Sequence, residues 1–281
     1  MSRRPARFPL PLDALRPGSS PVDPTPQRPG EVLRPQRPLA HAARESARSA
    51  APSGLGLDSA AVRERMVARL RESGIGNERV LGAFLRVERH RFVDPALAIQ
   101  AYEDTSLPIG LGQTISKPSV VARMLALAMA APAAATRGNL GRVLEIGTGC
   151  GYQAALLACL SRHVVSIERL AGLHDKARSN LASLLGGPRL DGVADLRLMH
   201  ADGRLGHVPQ APYDSIVAAA GGDAVPQAWL DQLALGGRLV APVHDPGQGG
   251  QVLMVVDRHE HGLQHQRFEG VHFVPLKSGA H

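Results

Sequence analysis

A chain of 281 residues that is 44% hydrophobic but only 3% aromatic must build its core from Leu, Val, Ile and Ala, with room for one large domain plus an extension or for two small domains. Most of its net charge of +7 sits in residues 1–57, where nine arginines face Asp13, Asp23, Glu31 and Glu45; the near-neutral remainder argues against a dedicated nucleic-acid surface. No apolar run is long enough to span a membrane, the longest (Met124 to Ala135) being alanine-rich and interrupted by Pro132, and the two cysteines, Cys150 and Cys159, suit a reduced, cytoplasmic protein.

In chain order, residues 1–57 hold eleven of the 22 prolines and no periodic apolar pattern, so they are expected to form a disordered Pro/Arg-rich extension. They lack the apolar core of a secretory signal, and their prolines spoil the amphipathic helix of a transit peptide. Residues 58–281 are expected to form a single domain. Val62, Met66 and Leu70 recur at a four-residue interval in a helix that Gly74 ends. A second helix runs from Asn77 to Val87 with Val80, Leu81, Phe84 and Leu85 as its buried face. Leu107 to Ser116 shows no consistent period and reads as a loop; Pro118 then opens a helix through Ala130, for which Ser116 is a candidate N-cap. From Arg142 onward strands and helices alternate. Strands are expected at 142–146, 163–168, 193–199, 214–219 and 237–243, and helices at 151–161, 170–185 and 226–234. Segments 251–257 and 264–274 read as a closing antiparallel hairpin. Such alternation predicts an α/β, doubly wound, largely parallel sheet preceded by a helical part.

The segment Val143-Leu144-Glu145-Ile146-Gly147-Thr148-Gly149-Cys150-Gly151-Tyr152 is a buried strand, a glycine turn and a helix start. That arrangement brings backbone close to a nucleotide ligand and leaves free amides facing it. A dinucleotide turn would read G-x-G-x-x-G. Here the third glycine comes one residue early, and bulky Tyr152 takes its usual place. The form E-x-G-x-G-x-G resembles the first motif of S-adenosyl-L-methionine (SAM) methyltransferases. The resemblance implies that Gly147, Thr148, Gly149 and Gly151 pack under the methionine part, with Glu145 helping to orient its ammonium. Glu168 ends the next apolar run, about 20 residues on, where a second strand delivers a carboxylate to ribose hydroxyls. Asp202, after the third strand, is placed to accept from an adenine amino group, and Gly203 leaves room for the ring; the alternative for Asp202 is an exposed turn.

Phe92-Val93-Asp94, Leu107-Pro108-Ile109-Gly110, Gly112-Gln113-Thr114-Ile115-Ser116, Val143 to Tyr152 and Phe273-Val274-Pro275-Leu276 together resemble, in the same order, the protein-L-isoaspartate(D-aspartate) O-methyltransferase family. The likeness spans roughly 60 to 277. It implies a seven-stranded methyltransferase sheet with an added N-terminal helical part, SAM as cofactor, and methyl transfer to the abnormal carboxylate of isoaspartyl (and D-aspartyl) residues in damaged proteins and peptides. It places the catalytic role on Ser116 and substrate binding on Thr114 and Ser116. The methyl ester would then cyclise to a succinimide unaided, which begins repair. Two departures stand out: Cys150 replaces the usual serine of the glycine loop, and the segment after the fourth strand reads Gly221-Gly222-Asp223-Ala224-Val225-Pro226.

Other readings share parts of this pattern. A relative that methylates Asp in a specific biosynthetic peptide would use the same fold and cofactor. A non-catalytic SAM-binding protein would not require the Ser116 segment, and an RNA methyltransferase would call for a basic stripe or a base-stacking face. His259, His261 and His265 fall at the expected hairpin turn without cysteines or clustered carboxylates, which reads as a solvated turn, not a metal site. Trp229 and Tyr213 read as core. The chain is expected to act as a monomer, away from membranes and nucleic acid.

Overall fold

The computed structural model describes residues 60–185, 194–247 and 249–281; the expectation for residues 1–57 lies outside them. Helices α1 (Ala60–Glu72) and α2 (Glu78–Arg86) open this part of the chain. Gly74, at φ +99°, ends α1 and lets the Ile75 amide bond back to Leu70. Asn77 caps α2 by accepting from the amides of Arg79 and Val80. The buried face of α2 is Val80, Leu81, Ala83 and Phe84. Leu85 was expected there but is 39% exposed, because the buried arc is centred on Val80 and Phe84 and Leu85 falls beyond its edge.

Leu107 to Ser116 is not a loop. It contains an antiparallel hairpin, β1 (Leu107–Gly110) with β2 (Gln113–Ile115), whose turn passes through Gly110, Leu111 and Gly112, all at positive φ. Strands of four and three residues are too short to show a period. Helices α3 (Pro118–Met129) and α4 (Pro132–Arg137) follow; α4, six residues launched by a proline, was not anticipated.

The alternating region then runs β3 (Arg142–Ile146), α5 (Tyr152–Leu160), β4 (His163–Glu168), α6 (Ala171–Leu185), β5 (Asp195–His200), β6 (Tyr213–Ala218), α7 (Gln227–Gln232), β7 (Leu233–Asp245), β8 (Gly250–His259) and β9 (Gly262–Val271). These seven strands form one sheet in the order β5-β4-β3-β6-β7-β8-β9, parallel as far as β7 and antiparallel beyond it. Alternate strand residues divide between two faces. Val143, Val164, Val217 and Val240 pack in one cluster with Phe84, Leu125 and Leu156. Leu144, Ile146, Val165, Ile167, Ile216 and Leu239 pack in the other with Trp229 and Tyr213. His265 lies within β9, opposite Val256, and not in the turn where it was expected, because the hairpin closes early, between His259 and Gly262.

Candidate active site

Strand order reverses between β3 and β6, and in open α/β sheets a crevice forms outside the carboxyl ends of the strands at such a point. A cavity of about 240 Å³ lies there. Its wall is built from Gly147–Cys150 and Tyr152 after β3, Glu168–Leu170 after β4, Ala219 and Ala220 after β6, Gln113–Ser116 of the hairpin segment, and Val274–Lys277. Gly151, expected at the cofactor, does not line it: a Cβ there would meet Leu181 and Ala177 of α6, so this glycine lets the turn pack on that helix.

The turn after β3 has Gly147, Gly149 and Gly151 at φ +90°, +57° and +93°, backbone angles that L side chains rarely adopt. No side chain caps α5, which begins straight after it. Tyr152, at the first position of α5, is buried and held edge-on by Phe84 (6.1 Å between centroids) and Phe92 (5.4 Å), so the N-terminal helical part braces the cavity wall.

Glu168 is fixed before any ligand arrives. Its Oε2 accepts the Gly149 amide at 2.8 Å and its Oε1 the Leu170 amide at 3.0 Å. A carboxylate has about four acceptor sites, which leaves both oxygens with capacity for vicinal hydroxyls. Glu145 is placed differently. It is fully buried, stands behind the cavity wall and does not line it. Its Oε2 accepts from the Ser166 hydroxyl, which also contacts the Thr148 hydroxyl, and Thr148 does face the cavity. Oε1 of Glu145 has no hydrogen-bond partner. Burial pushes its carboxyl up to about 8, against the opposing hydrogen bond of Ser166 and the nearby Gln153 side chain, and with a smaller push from the Glu168 charge. Any orienting effect of Glu145 on a bound ammonium therefore passes through Thr148.

Gly203 lines the cavity, and a Cβ there would stand 2.7 Å from Ile146 Cγ2. Asp202 does not line it. Its Oδ1 accepts the Arg204 amide at 2.9 Å and its Oδ2 the Gly279 amide at 2.7 Å. The chain near Gly279 is also tied to the segment after Glu168: the Arg169 carbonyl accepts from the His281 amide and the His281 carbonyl accepts from the Ala171 amide, both at 2.7 Å.

In the hairpin segment, Thr114 is exposed on β2 and Ser116 is half-buried just after it, and both line the cavity. Ser116 is not the cap of α3. Lys117 holds the N-cap position without a side-chain bond, and Asp104 does the capping from a distance, accepting from the Ser119 amide (2.8 Å) and hydroxyl (2.7 Å). The Ser116 hydroxyl makes no hydrogen bond to another described residue, while its carbonyl accepts from Arg89 Nη2 at 2.8 Å.

Three parts of the site were not recognised as such in the sequence. Val274–Lys277 lines the cavity and pairs with the departing segment: the Gly221 amide donates to Val274 O (2.9 Å) and the Leu276 amide to Gly221 O (2.7 Å). Lys176 on α6 holds the hairpin by donating to the Ile109 carbonyl at 2.8 Å. Gln153 lines the cavity with its amide nitrogen unpaired. The run Phe273 to Leu276 was noticed only as part of a family likeness, and nothing local marks Lys176 or Gln153. Cys150 is buried in the wall, and burial pushes its thiol up, so it is not primed as a nucleophile.

The donors and acceptors suit SAM: a fixed carboxylate, Glu168, with capacity for vicinal hydroxyls, and close glycine backbone. Comparison with known proteins agrees. A curated protein-L-isoaspartate O-methyltransferase of Methylibium petroleiphilum is 60% identical over 280 residues, covering 99% of this chain and 98% of its own. That of Leptothrix cholodnii is 58% identical over 98% of this chain and 95% of its own. A Plasmodium falciparum structure assigned to the same activity, solved with S-adenosyl-L-homocysteine, superposes with a TM-score of 0.64 over 76% of this chain and 98% of that one; at 23% identity it supports the fold alone. The family model for protein-L-isoaspartate(D-aspartate) O-methyltransferase matches residues 61–281, which takes in every wall of the cavity, and the chain belongs to that family.

Proposed function

We infer that this chain is a SAM-dependent protein carboxyl O-methyltransferase acting on L-isoaspartyl, and D-aspartyl, residues of damaged proteins, and that the cavity at the carboxyl ends of β3, β4 and β6 is its active site. The observation that carries the site assignment is that one cavity is lined both by a pinned Glu168 with acceptor capacity to spare and by Ser116, whose hydroxyl bonds to no other described residue.

Bound SAM supplies an electrophilic methyl group on a sulfonium. Glu168 would accept from the ribose hydroxyls, the Gly147–Cys150 backbone would hold the methionine part, and Gly203, whose missing side chain makes room for Ile146, would border the adenine ring. Asp202 can receive the adenine amino group only by sharing an oxygen that already accepts a backbone amide. The Ser116 hydroxyl donates to one oxygen of the isoaspartyl carboxylate while Thr114 borders the peptide. No general base is needed, since a carboxylate is ionised at neutral pH and attacks directly. The contribution of this chain is alignment and exclusion of water around a charged nucleophile, by the hairpin on one side and Val274–Lys277 on the other.

Labelled SAM offered with matched peptides should give a base-labile ester on the isoAsp peptide and little on its Asp twin. Equal labelling would overturn the substrate assignment. Ser116→Ala should lower turnover about 10- to 100-fold through loss of one hydrogen bond to a charged group, with cofactor affinity and melting temperature unchanged because the hydroxyl caps nothing. Wild-type turnover would remove Ser116 from the mechanism.

Residues 58–281 are proposed to suffice for this activity, as a monomer in the cytoplasm without nucleic-acid or membrane partners; among the described residues no helix is long and apolar enough to cross a membrane. Deleting residues 1–57 should preserve the melting temperature and turnover on short isoAsp peptides. A large loss of either would show that the boundary is wrong.

A further inference from the structure

Arg89 is fully buried, yet the functional reading gives it no role. It follows α2 in a short 3₁₀ turn, Arg89–Phe92. Its Nη2 donates to the Ser116 carbonyl at 2.8 Å and to the Thr105 carbonyl at 3.3 Å. These two residues bracket the hairpin β1–β2, so one nitrogen joins the two ends of the segment that carries Thr114. The guanidinium lies over the Tyr152 ring, with the central carbon 4.9 Å from the ring centroid. Tyr152 is the first residue after the glycine turn and lines the cavity. Arg89 is thus a single side chain spanning the substrate wall and the cofactor wall.

This is a costly way to fill space. Nε and Nη1 of Arg89, and the neighbouring Tyr152 hydroxyl, lack hydrogen-bond partners. A buried charge so incompletely satisfied is often matched or bettered in stability by an apolar side chain of similar volume. Core filling alone does not account for a guanidinium here. A long cation does account for it, because its terminal nitrogen can donate to two carbonyls while its delocalised charge lies over an aromatic ring.

We propose that Arg89 is a positioning residue for methyl transfer, setting the distance between Ser116 and the glycine turn so that the acceptor carboxylate lies in line with the methyl donor. The proposal rests on the function argued above. It acts through the backbone of Ser116 and the ring of Tyr152 and touches neither reactant. Small displacements matter in such a reaction, since a misplacement of about 1 Å can cost on the order of 100-fold in rate.

Arg89→Met and Arg89→Lys test it. The Met variant should keep SAM affinity and KM within about threefold while kcat falls about 30-fold or more, and amides 105–117 should exchange with deuterium at least about tenfold faster. The Lys variant, able to donate to one or both carbonyls without stacking as a plane, should recover part of kcat and part of the exchange protection. Wild-type kcat in the Met variant overturns the proposal. So does a parallel fall of kcat, cofactor affinity and melting temperature in both variants, which would mark a purely structural role. Should the Met variant not fold, the Lys variant decides alone: full kcat overturns, and a selective kcat loss with intact cofactor affinity supports. If the wild-type protein methylates no isoAsp peptide, the substrate assignment fails, whereas unchanged exchange at 105–117 in the variants would defeat the clamp itself.

Discussion

Glu168→Ala should weaken SAM binding by about 1–3 kcal/mol, roughly 5- to 150-fold in Kd, because a charged acceptor is removed from the ribose hydroxyls. A second effect accompanies the first. The carboxylate also holds the amides of Gly149 and Leu170, so alanine releases both the glycine turn and the start of the segment leading into α6. Both amides are half-buried, and each, left unpaired, costs up to about 1–3 kcal/mol, less where water replaces the lost acceptor. Glu168→Gln separates the two contributions. Its oxygen can still accept one backbone amide, so melting temperature should largely recover while cofactor affinity stays low. Titration calorimetry and thermal melts read the two quantities independently. Unchanged SAM affinity in the alanine variant would mean that the cavity is not the cofactor site.

The second large effect concerns pH. In the folded protein burial raises the Glu145 carboxyl to about 8, from an ordinary value of 4.5. Between those values the folded state holds a proton that the unfolded state has released. Stability is then fully present below about 4.5 and is lost as pH rises through about 8, with a slope approaching 1.4 kcal/mol per unit in the middle of the window. The total is on the order of 4 kcal/mol, a large part of a typical domain's stability. Glu145→Gln, nearly isosteric and unable to ionise, should flatten the difference. Denaturant unfolding at pH 5, 6.5 and 8 without cofactor should show wild type losing ground steadily against the variant. Parallel profiles for the two proteins would mean that Glu145 is already ionised at pH 5.

Both residues stand out in the sequence because the signals that mark them are local. An acid two positions before a glycine turn, and another at the end of the next apolar run, follow from strand and turn periodicity, and β3 and β4 come out at the expected residues for the same reason. Long-range packing carries no such signal. Leu85 and Ala83 could not be ranked without knowing what α2 packs against. The hairpin β1–β2 had too few residues to show alternation, and its turn places the non-glycine Leu111 at φ +51°, which composition does not announce. Asp202 was correctly set at a strand end. That its carboxylate would be engaged by Gly279, 77 positions away, depends on tertiary structure alone. Arg89 is the extreme case: in a chain with so many arginines, nothing in its neighbours separates one buried guanidinium from those in water.

The cavity wall joins Gln113 to Lys277 through turns that follow β3, β4, β5 and β6. No fragment containing only the glycine turn and its flanking elements possesses that wall, so ligand affinity is a property of the assembled domain. A molecule that binds only the native state shifts the unfolding equilibrium by RT ln(1 + [L]/Kd), about 2.7 kcal/mol at a hundredfold excess over Kd. Cofactor supply thereby becomes a determinant of how long the enzyme survives heat or proteolysis. When the methyl donor is scarce, a protein that repairs others loses both its reagent and part of its own protection.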